Sequence, residues 1–267
     1  MQRKGRIVTK IFRLFIIPVF LILSMAPSAV GGMFGPPQTV SRESGGLNTT
    51  IGYWYYEDTY KNDTSHPIRQ HHVYSQVSYG SKNIWEIYGR IGVSDLKIFD
   101  ASKSTHIYTT TIKDHFEENW KFVGTLGAKG FVAFNSIFGI GAFVQASYNF
   151  SNYTDNLVGI YHSTPFTDDL KVKNLWNVNF GIGAQATVPY GIKLYAGPFI
   201  YYAEADAQLA CGIPGIQSGD QRIAWKNKSI IGGYFGVDIP LAKGFRLNIE
   251  GQYTDRFSIG SAITYTY

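Results

Sequence analysis

The sequence predicts an all-β chain that folds as a transmembrane, antiparallel up-and-down β-barrel of about ten strands behind a cleaved signal peptide, and three observations carry that prediction. Residues 257–267 alternate bulky apolar with small or polar side chains and end on Tyr267, which gives one strand face for lipid and one for a polar interior. Beyond the first 31 residues no run of about 18 apolar residues occurs, so spanning helices are excluded while spanning strands are not. The segments between alternating stretches come in two sizes that take turns, tight and long, as barrel connections do.

The amino terminus accounts for the basic balance. Arg3, Lys4, Arg6, Lys10 and Arg13 all precede the first acidic residue, Glu43. Residues 14–25 form an apolar run too short to span comfortably, and the small residues Ala26, Ser28, Ala29 and Gly31 follow. That order is the signature of a secretory signal peptide, taken as residues 1–29 with the cut between Ala26 and Gly32. Without those five cations, 24 basic residues become 19 against 19 acidic ones, and nucleic-acid binding loses its compositional support. The single cysteine, Cys211, has no partner for an internal disulfide and reads as a loop thiol.

Residues 30–46, with Pro36-Pro37, read as an irregular periplasmic lead-in, and residues 47–267 as the barrel. The expected strands are 48–57, 70–79, 84–94, 120–133, 137–149, 175–188, 192–204, 229–239, 245–254 and 257–267. Most lie near the 9 to 11 residues, roughly, that a tilted strand needs to cross hydrocarbon. The tight connections are 80–83, 134–136, 189–191 and 240–244; the long, polar ones are 58–69, 95–119, 150–174 and 205–228. The final outer connection, Asp255-Arg256, is short. An even strand number leaves both termini in the periplasm. Residues 188–194 and 239–247 share an apolar residue before proline, a glycine, then apolar-basic-Leu, a reversal signal given twice.

Side-chain parity assigns the faces. In residues 245–253, Phe245, Leu247, Ile249 and Tyr253 point one way, and Arg246, Asn248, Glu250 and Gln252 the other. A lipid-facing Arg or Lys near the midplane costs about 2 to 4 kcal/mol, so the charged set faces the lumen. The same logic turns Trp85, Ile87, Ile91 and Val93 to lipid and Glu86, Tyr88 and Arg90 inward. Lys129, Phe143, Gln145, Lys193, Tyr195, Tyr201, Tyr234 and Asp238 also point in. A turn centred on Ala242 would set Asp238 across from Arg246 and Tyr234 across from Glu250. Mixed charges, inward tyrosines and the small bore of ten strands together predict a lumen closed by side chains. Inward Gly139, Gly141, Gly181, Gly183, Gly232 and Gly236 make room for them. Aromatic residues such as Tyr53, Tyr79, Trp85, Trp120, Trp176 and Tyr265 cluster near strand ends, at headgroup level.

With the leader, the alternation, the turn asymmetry and the terminal pattern Gly260-x-x-Ile263-x-Tyr265-x-Tyr267 in hand, the chain resembles the small bacterial outer-membrane β-barrels of the broad OmpA-like and porin-like superfamily. The resemblance implies export to the Gram-negative outer membrane, an outer-membrane lipid environment, and delivery to the barrel-insertion machinery through the C-terminal strand. It does not carry an activity, because this scaffold hosts adhesins, pores, anchors and enzymes.

Candidate chemistry is sparse. Ten strands resemble the omptin proteases, which use an Asp pair and an Asp-His pair at the rim; here Asp168-Asp169 and His162 share a loop, without an Asp-x-His motif at a strand top. His162-Ser163 has the residue types of a lipid deacylase relay, but adjacency in sequence is not geometry, and the pair reads as exposed loop. His71 and His72 are neighbours on a strand and face opposite ways, so with His66 nearby they read as rim polarity and not a metal site. The Asn-x-Ser/Thr triplets at Asn48, Asn62, Asn149, Asn152 and Asn227 read as loop and rim polarity. The expectation is a non-enzymatic, cofactor-free outer-membrane protein of structural or surface-interaction type whose long loops meet an extracellular ligand. The alternatives are a narrow pore for small polar solutes and an outer-membrane hydrolase. The residues expected to form the lumen network are Glu86, Arg90, Lys129, Lys193, Tyr234, Asp238, Arg246 and Glu250.

Overall fold

Alternating side chains give each strand an apolar and a polar face, and a sheet of such strands can hide both its edges only by closing on itself. The computed structural model describes residues 32–38, 46–81, 84–104, 110–161, 163–210, 221–241 and 244–267. The expected signal peptide, His162 and Cys211 lie outside the described residues. Among the described residues there are thirteen strands: β1 (Gly46–Lys61), β2 (Ser65–Ser81), β3 (Trp85–Ile98), β4 (Thr110–Lys113), β5 (Phe116–Ala133), β6 (Phe138–Asn149), β7 (Tyr153–Tyr161), β8 (Thr164–Thr187), β9 (Lys193–Ala210), β10 (Gln221–Asn227), β11 (Ile231–Pro240), β12 (Phe245–Tyr253) and β13 (Phe257–Thr266). Ten of them, β1-β2-β3-β5-β6-β8-β9-β11-β12-β13, form an antiparallel ring. The ring closes where β13 pairs β1, from Asn48↔Thr266 to Tyr55↔Ile259.

Around this ring the outward residues are apolar and exposed, among them Ile51 (70%), Ile91 (63%), Phe122 (61%), Phe180 and Ile263, while the inward ones are polar and buried. No water-soluble sheet tolerates such an exterior. This is an integral outer-membrane β-barrel, with a lipid-facing belt and a polar interior. Among the described residues no helix is long and apolar enough to cross a membrane.

The strands match expectation closely at the tight-turn end and overrun it at the other. Three of the four segments expected as polar loops contain strands, β4, β7 and β10, and the fourth is reduced to a turn at residues 62–64 between β1 and β2. β7 continues the position of β6 against β8, and β10 continues that of β11 against β9 while also pairing β1 at Tyr60↔Asn227 and Lys61↔Lys226. β4 pairs β7 directly above β5. β12 and β13 end at their short turn. The wall therefore narrows from ten strand positions in the belt to eight beyond it, and the upper cylinder forms a collar.

Inside the collar the parity rule holds but the polarity is exchanged. On β9, Lys193, Tyr195 and Tyr201 point in and Leu194, Ile200 and Tyr202 point out; from Ala203 onward the inward residues are Ala203, Ala205, Ala207 and Leu209 and the outward ones Glu204, Asp206 and Gln208. β2, β3 and β8 repeat the exchange, with His66 and Ile68, Leu96 and Ile98, and Leu170 and Val172 buried. Phe116, Tyr153, Leu157 and Trp225 complete this largely apolar core, each at most 1% exposed. Eight strands enclose just the width that side chains fill.

Candidate functional site

The barrel interior is the site that the sequence singles out, and its centre is held by backbone from the chain's own lead-in. Residues 32–38, expected to be an irregular periplasmic segment, run inside the ring from the tight-turn end. Glu250, fully buried on β12, accepts hydrogen bonds from the Phe34 amide (2.8 Å) and the Gly35 amide (2.7 Å). The Tyr195 hydroxyl (2.9 Å) and the Gln252 amide (2.8 Å) donate to the same carboxylate. Such charge-assisted bonds are about twice as strong as neutral ones. The Gly32 carbonyl accepts from Gln145 (3.2 Å), the Pro36 carbonyl from Lys129 (3.4 Å), and the Gln38 amide donates to Gln185 (3.1 Å).

Side chains lock the segment further. The Phe34 ring stacks on Phe143 at 4.0 Å between centroids and meets Phe199 and Tyr234 edge-on at 5.0 and 5.3 Å. The Tyr74 hydroxyl donates to the Met33 sulfur at 3.6 Å. Inward glycines leave the room: a Cβ on Gly141 would meet Pro37, one on Gly183 would meet Tyr234 and Pro37, and one on Gly260 would meet Trp54 and Met33. Gly35 itself adopts φ +72°, which favours glycine at the bend.

The remaining expected network residues surround this plug. Arg90 donates to Gln76 and Gln145 and lies over the rings of Tyr74 and Tyr88 at 4.9 and 4.8 Å. Glu86 stands directly across from Lys129, and Asp238 directly across from Lys193. The expected register at the β11–β12 turn is off by two: Asp238 faces Asn248 and Tyr234 faces Gln252. The turn is centred one residue later than Ala242, at position 243. Arg246 still reaches Asp238 diagonally and pairs with it through Nε and Nη2, and Nη2 also donates to the Gly191 carbonyl at 3.1 Å. Tyr234 does not partner Glu250; Tyr195 does. A cavity of about 60 Å³ lies alongside the plug, lined by Phe34, Pro36 and Gln38 on one side and by Gln76, Glu86 and Asp238 among others on the other. It has room for a few waters.

The terminal-pattern residues lie in the closure seam: Gly260 faces inward under Trp54, Ile263 faces lipid, and Tyr265 packs between Phe245 and Tyr267, both at 4.8 Å. Of the residues in the catalytic alternatives, Ser163 and the two aspartates are described. Asp168 is buried in the collar wall on β8, while Asp169 faces away from it. His72 is buried with Ser94 at 3.2 Å, His71 lies outside against Tyr53 at 2.6 Å, and His66 stacks on Trp225 inside the collar. Among the described residues no three His, Cys, Asp or Glu converge as metal ligands. Sequence reasoning missed the plug. The signal was there in Met33-Phe34, two bulky apolar residues in a stretch with no other reason to carry them.

No family model matches the chain, and no curated protein matches it in sequence. Among solved structures it is similar to an outer membrane channel from Pseudomonas putida F1 (10% identity, 89% of this chain and 100% of that one, TM-score 0.46). It is likewise similar to the outer membrane protease OmpT from Escherichia coli (12%, 87% and 100%, 0.44) and to the translocator domain of the autotransporter NalP from Neisseria meningitidis (8%, 83% and 88%, 0.43). Likenesses this remote carry no argument about activity; the barrel rests on its own register and belt.

Proposed function

We propose that this chain is a closed outer-membrane barrel of structural or surface-interaction type, oriented with its tight turns in the periplasm and its collar outside the cell. The observation that supports this reading best is a pair of barriers in series. The plug pinned on Glu250 obstructs the belt-level lumen, and the largely apolar core around Phe116, Leu157 and Trp225 fills the collar above it. A hydrated solute would have to displace both. The collar then serves as a rigid platform whose outward polar face meets an extracellular ligand, which agrees with binding residing on segments held by a stable scaffold. Delivery to the insertion machinery would use the C-terminal strand with Tyr265 and Tyr267.

Planar-bilayer recording from the purified full chain tests this reading. No steady single-channel current is expected. Reproducible unitary conductance that changes when Arg246 or Glu250 is replaced would establish the narrow-pore reading instead, with the 60 Å³ cavity as its periplasmic mouth. The proposed role involves no catalysis and no cofactor.

A further inference from the structure

Where β12 and β13 stop and β10 crosses above them to reach β1, the outer surface steps inward and leaves a ledge at the upper edge of the lipid-facing belt. Four cations converge there around Thr59. Lys61 and Lys226 stand directly opposite one another on adjacent strands, both outward and exposed. The Lys228 amide donates to the Thr59 carbonyl at 2.9 Å, and Arg256 Nε donates to the Thr59 hydroxyl at 3.3 Å. Like charges directly opposite across a ladder destabilise it.

Local groups relieve that repulsion on the Lys226 side alone. Among the described residues Lys61 makes no ion pair, while Lys226 leans toward β9, 3.9 Å from Glu204 and 5.8 Å from the centre of the Tyr202 ring. Asp255 is taken by Lys228 at 2.9 Å and by the Thr59 hydroxyl. Two of the four cations are ion-paired, Lys226 to Glu204 and Lys228 to Asp255. Directly beneath lie exposed apolar side chains, Tyr253 (60%), Phe257 (45%), Ile230 (62%) and Ile231 (68%). An anion at the ledge joined to hydrocarbon below it satisfies both features, and a free anion satisfies one.

We propose that Lys61, Lys226, Lys228 and Arg256 form a binding site for the anionic phosphate headgroup of a membrane lipid whose acyl chains lie on the Tyr253–Phe257 face. The phosphate sits between the two opposed lysines and converts their repulsion into a shared bridge. The site would fix the barrel's depth in the bilayer on the side where its wall is lowest.

Native mass spectrometry of the full chain in mixed micelles tests the site, with phosphatidic acid, phosphatidylcholine of the same chains, and inorganic phosphate as probes. The wild type is expected to retain phosphatidic acid over phosphatidylcholine. Each cation near an anionic lipid surface contributes about fivefold, so Lys61→Gln/Lys226→Gln should reduce that preference about 30-fold and Lys61→Gln alone about fivefold. Lys97→Gln/Lys171→Gln, which removes two outward cations elsewhere on the collar, should leave it intact. Melting supplies a second readout that a structural role would not give: Lys61→Gln should raise the midpoint in phosphatidylcholine and lower it in phosphatidic acid. Equal retention by the wild type and the double variant, an equal loss in the control, or protection by inorganic phosphate matching that by phosphatidic acid would each overturn the proposal.

Discussion

Glu250 sits at 0% exposure in a lumen where Glu86 faces Lys129 and Asp238 faces Lys193 across neighbouring strands, and both its oxygens accept from the plug. Hydrogen bonds to a charged group contribute about 1.5 to 3 kcal/mol each, and breaking them leaves the Phe34 and Gly35 amides buried without an acceptor. Glu250→Ala should therefore destabilise the barrel by about 3 kcal/mol, measured as a lower urea midpoint of intrinsic tryptophan fluorescence; an unchanged midpoint would mean the plug is not held there. Parity made the inward direction of Glu250 legible, because Phe245, Ile249 and Tyr253 on the same strand need lipid. Its partners were not legible. They come from a segment 216 residues away, and no periodicity connects a carboxylate with the backbone amide it will meet.

The elements divide at one height. Below it the strands were readable as polar-in, apolar-out, and every tight turn fell where proline, glycine or asparagine allowed a reversal. Above it Ala203, Ala205, Ala207 and Leu209 alternate with Glu204, Asp206 and Gln208, a pattern that offers lipid nothing and so read as loop. The backbone period never changed; only the solvent on the outside did. Because the collar has its own core, Phe116→Ala should cost about 3 to 5 kcal/mol of local stability. Limited proteolysis followed by mass spectrometry should then cut within β4, β7 or β10 while the belt strands survive. Simultaneous loss of both would show one cooperative unit instead. The turn between β12 and β13 adds a pH dependence. The Lys228 ammonium, together with the Thr59 hydroxyl, holds the Asp255 carboxyl below the ordinary carboxylate range. A carboxyl depressed on folding stabilises the fold above its unfolded pKa of about 3.9, and that contribution is lost as pH falls through the lower folded value. Asp255→Asn should flatten the acid limb of the stability profile by lowering the midpoint above pH 5 while leaving it nearly unchanged at the most acidic pH.

At the scale of the whole molecule, the ten-strand ring makes a lumen and the eight-strand collar makes a stopper, so the two barriers are independent in space. Phe34→Ala, which removes the ring caged by Phe143, Phe199 and Tyr234, should leave planar bilayers silent. Phe116→Ala alone should do the same. Only the combination is expected to pass current, and conductance from either single variant would show that the other barrier leaks. The plug also has a consequence for how the molecule comes to exist. Its clamp belongs to the penultimate strand, and the Met33 sulfur rests where the last strand meets the first. The Glu250 clamp cannot close on the Phe34 and Gly35 amides until β12 is in place, so the plug completes its hydrogen bonding only as the cylinder shuts.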